Sequence, residues 1–149
     1  MESLNLKSKI ICSQIIEAMK GEQYLKVEIK YFLPLTVELL DTEIWTPFGI
    51  GNSYSFCHYY EQNGDLMQAP EMCFILVDNR DDQNLDWDQV FIFPFMYQYA
   101  ATCAYELSII TDGNKVTRIN RRLQVKHALL AEQWMHEIKS IGFLKKLWD

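Results

Sequence analysis

The residues best equipped for chemistry lie in one run, His58 to Met72, which reads HYYEQNGDLMQAPEM. It holds an imidazole, His58, and three carboxylates, Glu61, Asp65 and Glu71. A histidine beside carboxylates can hold a divalent metal or move a proton near neutral pH. The spacing argues against both. In an extended strand His58 points with Phe56 and Tyr60, whereas Glu61 points with Cys57 and Tyr59. The other histidines, His127 and His136, stand far along the chain. No Gly-rich phosphate loop, nucleophile elbow or paired Cys/His motif is present. The chain is therefore expected to bind no metal and no cofactor. A metal-dependent enzyme built on the His58 hairpin stands as the alternative reading.

The second candidate is electrostatic. Residues 1–114 carry 6 Lys/Arg against 17 Asp/Glu, and residues 115–149 carry 8 against 3, within a net charge of −6. Lys115, Arg118, Arg121, Arg122 and Lys126 are clustered at the head of the basic segment. Such a cluster can contact phosphates or an acidic protein surface. The acidic body repels a duplex, so a nucleic-acid-binding accessory protein is the weaker alternative. Arg118, Arg121, Arg122 and Lys126 are read as a face that either pairs with the acidic loops of the same chain or binds a protein partner.

The elements that must position these groups follow from periodicity. Asn63-Gly64 takes positive φ at both central positions of a tight turn, which predicts a hairpin with Glu61 opposite Leu66, Tyr60 opposite Met67 and His58 opposite Ala69. Pro70 lacks an N–H, so the pairing should bulge or stop beside it. Met72 to Val77 is apolar throughout, as in a strand covered on both faces. Leu4 to Met19 repeats at helical spacing, with Ser3 as N-cap and Gly21 as stop. Tyr24 to Tyr31 and Leu35 to Leu39 alternate like strands, and Asp41 to Gly51 reads as a loop. Asp78 to Asp88 lacks the spacing of a calcium loop and reads as a solvated hairpin loop. Val90 to Tyr99 and Tyr105 to Ile110 read as further strands. A helix is predicted from about Thr117 to Ile141, ended by Gly142, with Ile119, Leu123, Leu130, Trp134, Ile138 and Ile141 on one stripe.

The string HYYEQNGDLM followed by PEM resembles the shared motif of a small family of unsettled function, encoded mainly on bacterial mobile elements and phages. His58, Tyr60, Glu61, Asn63, Gly64, Asp65 and Glu71 are the motif positions carried by this chain, while Ala69 stands where the motif is expected to hold an acidic residue. The similarity runs from about Leu33 to Phe143. It implies a genomic setting and a fold rather than a reaction, and interference with a host defence system is one function such a setting suggests.

Length and composition fit one α+β domain over residues 1–149, with a mostly antiparallel sheet of about five or six strands flanked by an N-terminal helix and a long C-terminal helix. No apolar run approaches the ~20 residues that cross a bilayer. Cys12, Cys57, Cys73 and Cys103 are widely spaced, and MESLNLKSK lacks the pattern of a secretory signal. Reduced thiols and a cytoplasmic location are expected. The residues favour a non-enzymatic interaction protein that acts on a protein partner.

Overall fold

The computed structural model describes residues 1–149. The first helix, α1 (Leu6–Glu17), begins at Asn5, whose side chain accepts from the Ser8 amide. Asn5, not Ser3, is therefore the cap. The Ser3 hydroxyl instead accepts from the Ile92 amide, tying the N-terminus to the sheet. Strands β1 (Tyr24–Val27), β2 (Leu35–Thr46), β3 (Gly49–Gln62), β4 (Asp65–Asp78) and β5 (Val90–Tyr99) follow. Short strands β6 (Ala104–Leu107), β7 (Ile109–Asp112) and β8 (Lys115–Ile119) precede α2 (Arg121–Ile141) and α3 (Phe143–Trp148).

The sheet has eight strands rather than five or six, in the order β6-β5-β4-β3-β2-β8-β7, with β1 also paired to β2. Two features raise the number, and a third lengthens β2 and β3. The segment read as one strand from Tyr105 breaks at Ser108 into β6 and β7. Lys115 to Ile119 is the return strand of a hairpin, not the start of a helix. The segment Asp41 to Gly51 is largely strand, turning only around Pro47 and Phe48. All pairings are antiparallel except β2 with β8. Strands β6 and β7 stand at opposite ends of the order yet are separated by Ser108 alone, so the sheet must curve strongly.

The predicted hairpin is present. Asn63 and Gly64 have φ of 54° and 86°, and Gln62, Glu61 and Tyr60 pair with Asp65, Leu66 and Met67. The register then shifts between Tyr59, opposite Gln68, and Cys57, opposite Glu71. His58 therefore lies at a bulge across from Ala69 and Pro70 rather than in a regular pair, as the missing Pro70 donor requires.

β4 is covered on both faces. Met72 and Phe74 join the main core with Phe56, Ile92, Trp134, Ile138 and Phe143 beneath the helices. Ile75 and Val77 join Ile44, Phe93 and Ile109 on the other side. Phe48 folds its ring against Phe91 and Phe93, with centroids 5.0 and 5.1 Å away, while Trp45 stays exposed. The strand expected to run to Tyr31 stops at Val27, and Tyr31 is exposed with φ of 74°. In the aspartate-rich loop Arg80 is held by Asp78 at 2.8 Å and stacks over Trp87. No helix is long and apolar enough to cross a membrane.

Candidate functional site: an aromatic cleft and a basic helix face

The motif side chains are distributed over different parts of the hairpin. His58 faces the helices. Its ring meets Trp134 edge-on and Phe143 at a tilt, with centroids 5.5 Å apart in both cases. Glu61, Asn63, Gly64 and Asp65 form the exposed tip. Tyr60 is half-buried and lines, with Tyr59, Glu61, Lys26 and Glu38, a polar groove of about 610 Å³. Glu71 lies opposite Cys57 and accepts a 2.5 Å hydrogen bond from Ser55 Oγ. Nowhere do three His, Cys, Asp or Glu side chains gather in a way that could hold a metal ion.

The bulge at Pro70 opens a cleft of about 450 Å³ between the hairpin base and α2. His58, Met72, Tyr97, Tyr99, Trp134 and Phe143 line it, and Gln133 and Glu137 stand exposed at its margin. The Pro34 carbonyl, 3.1 Å from His58 Nδ1, can only accept. The neutral ring therefore carries its proton on Nδ1, and Nε2 keeps a free lone pair. Burial pushes the His58 pKa below the ordinary histidine range, against the opposing pull of the Pro34 and Leu33 carbonyls and Glu137. Burial also pushes the Cys57 and Cys73 thiols up to about 12, so neither is a ready nucleophile at neutral pH.

A second histidine sits in a network that the sequence reading did not single out. His127 is 0% exposed and Ser108 1%. Ser108 Oγ lies 2.7 Å from His127 Nδ1, and His127 Nε2 lies 3.1 Å from Glu106 Oε1. Glu106 also pairs with Lys126 Nζ at 3.1 Å. Burial alone would raise the Glu106 pKa, but hydrogen bonds from Lys126 and His127 outweigh it and hold it low. The carboxylate accepts from Nε2–H, which leaves Nδ1 to accept from the serine hydroxyl. Hydroxyl, imidazole and carboxylate are aligned as in an acyl-transfer relay, but the hydroxyl is sealed from solvent. The network fastens α2 to the break between β6 and β7. The available signal was spacing: His127 falls on the same helical stripe as Leu123, Leu130 and Trp134.

The basic cluster is arranged differently from the expectation. Arg118 is on β8, and α2 starts at Arg121 because Asn120 caps it, accepting from the Leu123 amide. Lys126 pairs with Glu106 on β6, not with the aspartate-rich loop, where Arg80 engages Asp78. Arg118, Arg121 and Arg122 are exposed and make no ion pair. On the outer face of α2, Arg122, Val125, Lys126, Leu129 and Gln133 border a shallow depression of about 550 Å³. Val125 is 45% and Leu129 65% exposed. This apolar pair on one helix, beside free guanidinium groups, was not visible as a unit in the sequence.

No curated protein and no solved structure matches the chain. A family profile does, over residues 9–144, from within α1 to within α3. The chain therefore belongs to the family described as "Domain of unknown function (DUF6908)".

Proposed function

We propose that this protein acts by binding rather than by catalysis, and that the outer face of α2 docks an acidic protein surface. The observation that carries this reading is the unpaired Arg121 and Arg122 beside the exposed Val125 and Leu129. An apolar centre with a cationic rim is the composition of a protein interface, and Arg is the residue such interfaces favour. Carboxylates on the partner would meet the arginines while one or two aliphatic side chains cover Leu129. The same arginines could meet a nucleic acid, but the acidic body disfavours it. The metal-enzyme alternative lacks a converging donor set. The motif resemblance supports a cytoplasmic, mobile-element-encoded setting in which the protein binds a host or element protein, interference with host defence being one form of this.

The test is capture of a partner by the wild-type chain and by Arg121→Glu/Arg122→Glu. The reading expects a specific partner with an acidic contact surface, lost in the double variant while the melting temperature is kept. Undiminished capture by a folded double variant would refute this face. A clear shift of duplex DNA at about 150 mM salt, where exposed charges are largely screened, would favour the nucleic-acid reading instead.

A further inference from the structure

The cleft over His58 has an electrostatic character of its own. Aromatic rings from Phe32, Tyr97, Tyr99, Trp134 and Phe143 stand around it, and no Lys, Arg or Asp is among its lining residues. The formal charge it carries is that of Glu137, exposed at the margin. His58 Nδ1 is committed to the Pro34 carbonyl, and Nε2 makes no hydrogen bond within the protein. An unengaged acceptor nitrogen and a carboxylate favour positive charge that brings N–H donors, and a cation seated over any of these aromatic rings gains a cation–π contribution. The apolar floor, with Pro70, Met72 and Phe143, favours a hydrocarbon body. A volume of about 450 Å³ is that of a small-molecule site.

From this we infer that the cleft binds a free small organic ammonium with an aromatic or apolar body, its head between Glu137 and His58 Nε2 and its body against Trp134 and Phe143. An anion would face Glu137 with no cation in the lining to offset the repulsion. A purely neutral hydrocarbon would leave the Nε2 lone pair desolvated and unmatched, which is costly. The assignment is independent of the α2 docking face, whose arginines do not line this cleft.

The experiment is isothermal titration of the full chain with phenethylamine and tryptamine, each against its neutral alcohol counterpart, 2-phenylethanol and tryptophol. Saturable binding of the amines is expected, with the alcohols weaker by about tenfold or more, the scale of a charge-assisted hydrogen bond. Glu137→Gln, an exposed change that the fold tolerates, should weaken the amines by about tenfold and leave the alcohols unchanged. Arg121→Glu/Arg122→Glu should leave amine binding intact. In amide and indole NMR spectra the Trp134 side-chain N–H should shift on titration. Alcohols binding as tightly as the amines would overturn the inference, as would absence of saturable binding. A lysine-containing peptide that binds where neither free amine does would overturn it too, giving the cleft to a partner's side chain.

Discussion

Acidification should destabilise this protein well before its carboxylates titrate. His58 and His127 are buried, and burial lowers the pKa of both in the fold. His127 is lowered although Glu106 pulls the other way, while Lys126 adds to the fall. Tyr97 from β5 packs on the same ring. The unfolded chain takes up these protons near pH ~6.5, whereas the folded chain refuses them until a lower pH. Stability is therefore full above about pH 6.5 and declines as pH falls below it, levelling off once the folded-state pKa is passed. Each histidine that stays neutral in the fold loses up to about 1.4 kcal/mol per pH unit below that point. Between about pH 7.5 and about pH 5.5 the two together can therefore remove up to roughly 2.5 kcal/mol. With a urea m-value of about 1–3 kcal/mol/M, the midpoint should fall by on the order of 1 M. Urea melts followed by far-UV circular dichroism measure this directly. His127→Gln, which cannot titrate, should have a shallower pH dependence than wild type even if it is less stable throughout. Glu106 and Asp78, both held low in the fold, add their own losses only as pH drops through the carboxylate range. A midpoint that is flat or rises from about pH 7.5 to about pH 5.5 would refute the neutral-histidine assignments on which this rests.

Further outcomes follow from local geometry. Gly51→Ala places a Cβ 2.3 Å from the Leu76 carbonyl oxygen, so β3 or β4 must move, and a loss of at least about 2 kcal/mol is expected in the same urea assay. Gly64→Ala meets nothing within 4 Å but keeps φ at +86°, so backbone strain alone should cost about 1 kcal/mol; a loss as large as that of Gly51→Ala would contradict the turn. Arg121→Glu/Arg122→Glu breaks no ion pair and puts carboxylates on the first turn of α2, where the helix dipole favours them, so thermal melting should show stability unchanged or raised by up to about 1 kcal/mol. Elemental analysis of purified protein should find no stoichiometric zinc or manganese; near-stoichiometric metal lost in His58→Ala would promote the metal-enzyme reading.

The parts of the fold legible in the sequence are those fixed by short-range chemistry. Asn63-Gly64 set the turn and the first pairs of its register, Pro70 announced the bulge, and the unbroken apolar run from Met72 announced a strand covered on both faces. The start of α2 was misplaced because Ile119 satisfies two periods at once: it continues the helical stripe of Leu123 and also pairs across from Ile109 in β7. The Asp112-Gly113-Asn114 turn and the Asn120 cap decided between them. The break at Ser108 had no local signal, since the strand changes partner there because of where β5 and β8 lie. Which carboxylate meets the basic cluster was not legible either: composition shows a surplus of acidic residues but not that Glu106 on β6 reaches Lys126, while Arg80 holds Asp78 beside Trp87. The aromatic cleft was illegible because β3, β5, α2 and α3 each supply separate walls, and only the tertiary fold gathers them.

Site-directed photo-crosslinking tests the central claim most directly. A photoreactive phenylalanine analogue would replace Val125, on the exposed face of α2, in one protein and Leu66, at the exposed hairpin tip, in another. Both would be irradiated in cells that contain the natural partner. The docking reading predicts a discrete protein adduct from position 125, lost when Arg121 and Arg122 are reversed to Glu, and none from position 66. An adduct from position 66 with none from position 125 would contradict it and move the interface to the hairpin.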